Sequence, residues 1–123
     1  MNHSSSGILD ILCIQLKPGI GASFNKLYIE QSLPIQRQWK VEVIAFGPSL
    51  DDDDLYFVVR KYKDLEDRRQ SQDAFYGSEE WKQGPREAIL ASIEHSVQVV
   101  IPANDLIVSG LRMAHHLSEA GRK

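Results

Sequence analysis

Residues 55–90, LYFVVRKYKDLEDRRQSQDAFYGSEEWKQGPREAIL, read as a strand, a capped helix, a glycine stop and a second helix. In the first part Leu55, Phe57 and Val59 alternate with Tyr56, Val58, Arg60 and Tyr62, the period of a strand over Leu55–Tyr62. Asp64 is placed to cap the helix that follows. Glu66 and Asp67 put negative charge on its first turn, where the helix dipole favours it. Leu65, Arg69, Gln72, Phe75 and Tyr76 would line one side of that helix, and Gly77 suits the position after its end. Ser78 then caps a third helix with Trp81, Ala88, Ile89 and Ile93 inward, bent at Gly84-Pro85.

Upstream, Ile8–Leu16 is a strand with apolar residues on both sides. Ile8, Leu12, Ile14 and Leu16 share one side with Asp10 as the exception, and Leu9, Ile11 and Cys13 share the other. Lys17-Pro18-Gly19-Ile20-Gly21 ends it. A helix from about Ala22 carries Phe24, Leu27 and Tyr28 inward, and Pro34 predicts a kink or break within it. Val41–Gly47 is a second strand, joined to Leu55–Tyr62 through Gly47-Pro48-Ser49 and the acidic run Asp51–Asp54. Downstream, Ser96–Ile101 supplies the fourth strand. The expected organisation is a disordered leader (1–7), a folded domain (8–102) and a C-terminal extension (103–123). In the extension Asn104 could cap a short helix that Gly110 weakens.

The order strand, helix, strand, strand, helix pair, strand is the split βαβ arrangement. It predicts an α+β, ferredoxin-like βαββαβ domain: an antiparallel sheet with its helices on one face. A lone domain of this kind should be polar on its other face. All four strands here are apolar, or largely so, on both, and the economical second cover is another copy of the chain. A homodimer joined through its sheets is therefore expected. Val58 and Val59 point to opposite faces, so a charge at one should cost the fold and at the other the dimer.

Composition limits the partners. The chain has 123 residues, 25% charged and 42% hydrophobic, with a net charge of −3. That is ordinary for a globular domain and argues against nucleic acid. No run approaches the ~20 apolar residues of a membrane span. MNHSSSG lacks the basic start of a signal peptide, and Cys13 is the only cysteine, so a cytoplasmic setting is expected.

Three motifs carry a resemblance. QLKPG (15–19), LPIQ (33–36) and DLEDR…EEW (64–81) are similar, in order and spacing, to the NIPSNAP family of the dimeric α+β-barrel superfamily, over roughly Ile8 to Pro102. The resemblance implies a homodimer whose two sheets face each other as a barrel, with a small pocket in each subunit between sheet and helices. The chain departs from the family at Leu12 and Ile14, where members commonly carry arginine and tyrosine, and at the helix break of Gly84-Pro85.

Tyr28, Phe57, Arg60, Tyr76 and Trp81 are the candidates to line such a pocket. Arg60, flanked by Val58 and Tyr62, must find a partner, reach solvent or meet a ligand's acid group. His95, at the junction of the third helix and fourth strand, is one candidate acid–base, and a pocket tyrosine the other. His95 is also the histidine that could serve as axial ligand if haem bound, as in relatives within the superfamily. No motif for a flavin, a nicotinamide, a phosphate loop or a metal is present, so no cofactor is expected. Asp51–Asp54 reads as a solvated hairpin tip, and His3, His115 and His116 as inert. Cys13, with no basic neighbour, reads as a buried, unreactive thiol. Three functions stay open: a protein binding a small apolar or amphipathic molecule, a cofactor-independent monooxygenase- or isomerase-like enzyme, and a structural dimeric interaction module.

Overall fold

The computed structural model describes residues 7–120, with side chains as far as residue 115. β1 (Ile8–Leu16) and β3 (Leu55–Tyr62) form the centre of a four-stranded antiparallel sheet, and β2 (Glu42–Pro48) and β4 (Ile93–Pro102) form its edges, in the order β2-β3-β1-β4. This is the α+β, ferredoxin-like arrangement. β4 begins at Ile93, earlier than the sequence suggests, because the third helix ends at Ser92.

Register assigns the two faces. Leu12 lies opposite Val58 and Gln98, while Cys13 lies opposite Phe57 and Val97. The Leu12 face carries the main core. Ile14, Leu16, Tyr56, Val58 and Tyr62 meet Phe24, Tyr28, Leu33, Phe75, Trp81 and Ile89. These come from α1 (Gly21–Leu27), the turn Tyr28–Ser32, α2 (Leu33–Gln38), α3 (Leu65–Tyr76), α4 (Glu79–Gln83) and α5 (Arg86–Ser92). The caps form where the side chains require them: Asp64 accepts from the Asp67 N–H at 2.8 Å, and Ser78 from the Trp81 N–H at 3.2 Å. Gly84-Pro85 separates α4 from α5.

Pro34 does not break its helix. The chain instead widens into a π turn over Tyr28–Ser32, in which the Leu33 N–H reaches back to the Tyr28 carbonyl. A regular α turn would press the proline ring against the carbonyl of residue 30, and the wider turn relieves that clash. Helical turns continue on both sides of it, over Gly21–Leu27 and Leu33–Gln38.

The Cys13 face has a cover that the sequence reading missed. Residues 105–120 form one long helix, α6 (Asp105–Ala120), not a short one. Asn104 caps it by accepting from the Ile107 N–H at 2.9 Å, and a Cβ at Gly110 would meet nothing within 4 Å, so that glycine sits on the open side of the helix. Val108 and Leu111 pack on Leu9, Ile44, Ala45 and Val59, and Arg112 pairs with Glu42 of β2. Gly7, expected in the leader, is joined to the fold: its carbonyl accepts from the Ala103 N–H at 2.9 Å. Residues 1–6, which hold His3, lie outside the described residues.

α6 lies along the β2 side and leaves the β4 side open. Val97 and Val99 are 59% and 54% exposed, and Cys13 is exposed as well, which corrects the expectation of a buried thiol. Val58, on the helix side, is 1% exposed. Val58→Asp should therefore cost several kcal/mol through an unpaired buried charge and abolish cooperative unfolding in urea, whereas Val99→Asp should leave the chain folded.

Candidate functional site

The helix side of the sheet carries a carboxylate, Asp10, near the start of β1. A carboxylate taken out of water must be paired, and the register supplies the partner directly opposite, Arg60. Arg60 Nη2 donates to Asp10 Oδ1 at 3.1 Å, and both side chains are 1% exposed or less. From α3, Arg68 Nε donates to Asp10 Oδ2 at 2.6 Å and Gln72 Nε2 to the same oxygen at 3.1 Å. Arg60 Nη1 also donates to the Tyr76 hydroxyl at 3.0 Å, and Arg68 Nη2 to Gln98 Oε1 at 2.5 Å. One carboxylate thus ties two central strands, α3 and the edge strand together.

This network changes the expected face of α3. Arg68, Gln72 and Phe75 turn inward. Leu65 is exposed, and Arg69 lies on the solvent side between Glu66 and Asp73. Burial by itself disfavours the Arg60 charge, but Tyr76, Tyr62 and Asp10 more than offset it, so the guanidinium sits above the ordinary arginine value. Burial pushes the Tyr62 phenol up, against the opposing pull of Arg60.

Beside the network lies a cavity of about 180 Å³ between sheet and helices. Leu12, Ile14 and Val58 form its sheet wall, and Phe24, Phe75, Trp81 and Ile89 its helix wall. The polar groups on it are few: Tyr28, Ser32 and Gln36 from the π turn and α2, Tyr76 from α3, and Ser96 and Gln98 from β4. The Tyr28 hydroxyl donates to Gln36 Oε1 at 2.6 Å. Burial raises the Tyr28 phenol far above its ordinary value. Tyr76 and Trp81 meet edge to face, with ring centroids 5.4 Å apart.

Of the five sequence candidates, Tyr28, Tyr76 and Trp81 border this cavity, and Arg60 stands behind Tyr76. Phe57 does not: it is on the opposite face, packed with Val59 and the α6 side. His95 is a further correction. It pairs with Gln15 within β4, is exposed, and shares the Cys13 side of the sheet, so it faces away from the cavity. A wider cavity of about 590 Å³ opens on that side, between α6 and the sheet, with Cys13, Phe57, Leu111 and His115 on its walls. His115 is not in a free tail; its ring packs at a tilt against Phe46 with centroids 4.8 Å apart. The side chain of His116 lies outside the described residues. The aspartates of the hairpin organise the loop itself: Asp54 accepts from the Gly19 N–H at 3.1 Å, and Asp52 from the Asp54 N–H at 2.9 Å. Among the described residues no group of three or more acidic, histidine or cysteine side chains is placed to hold a metal, and no helix is long and apolar enough to cross a membrane.

Two outcomes follow from these contacts. Asp10→Ala strands two arginines and should lower stability by about 3–5 kcal/mol in urea, whereas Asp10→Leu with Arg60→Met should restore most of it. Tyr28 gives an alkaline limb. Below its unfolded value of 10.0, both states are protonated and its contribution is whole. Above that, the unfolded chain loses the proton and the folded chain keeps it, so stability falls as pH rises. Urea titrations should show Tyr28→Phe flattening this limb by up to roughly 1.4 kcal/mol per pH unit.

No family model matches the chain, and no curated protein sequence is similar to it. Solved structures are similar in shape. A NIPSNAP family protein from Agrobacterium tumefaciens has a TM-score of 0.76 at 17% identity, over 85% of this chain and 92% of that one. A NIPSNAP-like domain protein from Burkholderia xenovorans has a TM-score of 0.72 at 18% identity, over 79% and 84%. A Nitrosomonas europaea protein assigned to antibiotic biosynthesis monooxygenases has a TM-score of 0.63 at 12% identity, over 84% and 95%. Identities this low speak for the backbone alone, and on that ground the chain is NIPSNAP-like in fold.

Proposed function

We propose that this chain is a homodimeric α+β-barrel protein that binds a small amphipathic molecule in the cavity between the sheet and the helices of each subunit. The observation that carries the reading is the cavity itself, with apolar walls and polar groups confined to a few positions, the usual make-up of a small-molecule site. Its size limits the ligand. An apolar cavity of about 150 Å³ takes a benzene, so about 180 Å³ suits one ring with a polar substituent. An interaction module would have no use for such a space. The monooxygenase assignment of one structural neighbour keeps an enzyme in view; of the acid–base candidates His95 faces away from the cavity, and the tyrosines Tyr28 and Tyr76 border it.

The dimer rests on the open half of the second face. Cys13, Val97 and Val99 share it and are exposed, beyond the part of the face that α6 covers. A contiguous apolar strip on a sheet is the kind of surface that a second copy covers. A cytoplasmic setting belongs to the same reading, because reducing compartments preserve an exposed free thiol such as Cys13.

Native mass spectrometry tests both parts at once. The expected species is twice the 13.9 kDa chain mass, carrying a small ligand or taking up a single-ring probe. Val99→Asp should halve the mass, and Ile89→Trp, which fills the cavity, should abolish probe uptake while leaving the dimer. A particle of 13.9 kDa at micromolar concentration would sink the dimer, and undiminished uptake by the filled variant would sink the site.

A further inference from the structure

The cavity's polar groups are not alike, and their differences name the ligand's chemistry. Tyr28 and Gln36 satisfy each other. Tyr76 and Gln98 are instead held from behind, each by a guanidinium. The Tyr76 oxygen accepts from Arg60 Nη1, so the hydroxyl proton remains available to an acceptor. Arginine has donors and no acceptor, so the Gln98 atom that Arg68 contacts is its oxygen. The Gln98 amide nitrogen, with two protons, is then the end left to donate. Both groups border the cavity, and both are donors polarised by a cation.

The charge balance points the same way. Arg60 and Arg68 share one carboxylate, Asp10, and the other groups hydrogen-bonded to them, Tyr76 and Gln98, are neutral. Arg60 Nε, buried, donates to no acceptor among the described residues. A cluster with two cations and one anion, of which Arg60 and Asp10 are buried, favours a further negative charge within a few ångströms.

Resting on the reading of this cavity as the binding site, we infer that its ligand is a small aryl carboxylate, with its ring between the apolar walls and its carboxylate accepting from Tyr76 Oη and Gln98 Nε2. Multi-ring acids exceed the volume. Asp10 is a positioning residue in this scheme: it orients both arginines and touches no ligand.

Calorimetric and NMR titrations of the full chain with benzoate, benzamide and benzyl alcohol at neutral pH test it. Benzoate should bind at least about tenfold more tightly than benzyl alcohol, the effect of a hydrogen bond to a charged group. Tyr76→Phe and Gln98→Leu, both at exposed positions and checked for fold by circular dichroism, should each weaken benzoate more than benzyl alcohol and so remove most of the ratio between the two affinities. Equal affinities for benzoate and benzyl alcohol, or a preference that survives both substitutions, would overturn the carboxylate and leave the cavity as a binding site. Failure of all three probes to shift resonances of Phe75, Trp81 or Ile89 would overturn the binding site and the carboxylate together.

Discussion

A sheet has two faces, and in this chain both are apolar. The crossover helices that join antiparallel and next-neighbour strands reach only one of them, because right-handed connections in a βαββαβ chain return on the same side. Every other large feature answers the problem of the second face. α6 turns back under the sheet and seats Val108 and Leu111 against Val59 and Ile44. Its reach ends at the β2 side, and the strip from Cys13 to Val99 remains. Covering part of the face leaves an apolar surface smaller than the bare sheet, on the neighbouring strands β1 and β4.

On the helix face the difficulty is the reverse. One carboxylate sits where the pattern calls for an apolar side chain, and Asp10 is tolerated only because Arg60 lies across from it and α3 brings Arg68 and Gln72 above it. An ion pair so buried returns little net stability against its desolvation, and its value is geometric. It sets how far along the sheet α3 can slide, since Arg68 spans from Asp10 to Gln98 on the edge strand. The cavity beside it owes its shape to that setting: Phe75 and Tyr76 come from the last turn of the same helix.

Much of this was legible in the residues. β1 and β3 are short apolar runs followed by clear turn signals, and their limits in the structure coincide with those read from the sequence. The Asp64 and Ser78 caps are local chemistry, readable wherever a short polar side chain precedes a helical run. What escaped was long-range. The pairing of Asp10 with Arg60 depends on β1 and β3 being neighbours in one particular register, although a lone acid and a lone base on two apolar strands were a signal that could have been joined. α6 was underrated because Gly110 counts against a helix in isolation, while in place it faces open space and costs only its propensity. Phe57 and His95 were assigned to the cavity without a register to say which side they point to, and a one-residue difference in parity moves a side chain through the sheet. Cys13 was read as buried because apolar neighbours imply burial only when something lies on top of them.

The π turn at Tyr28–Ser32 has a consequence for how chains of this fold are matched to one another. A turn closed from residue 33 back to residue 28 holds one residue more than an α turn. In a regular helix, one extra residue would rotate everything after it by about 100°. The wide turn absorbs that residue locally, and Tyr28, Ser32 and Gln36 all border the cavity. A chain with the same backbone path and an unbroken α-helix here would be one residue shorter, and residue-by-residue matching would slip out of phase from Leu33 onward unless a gap were opened inside a helix. Shape survives such a slip, and sequence similarity does not.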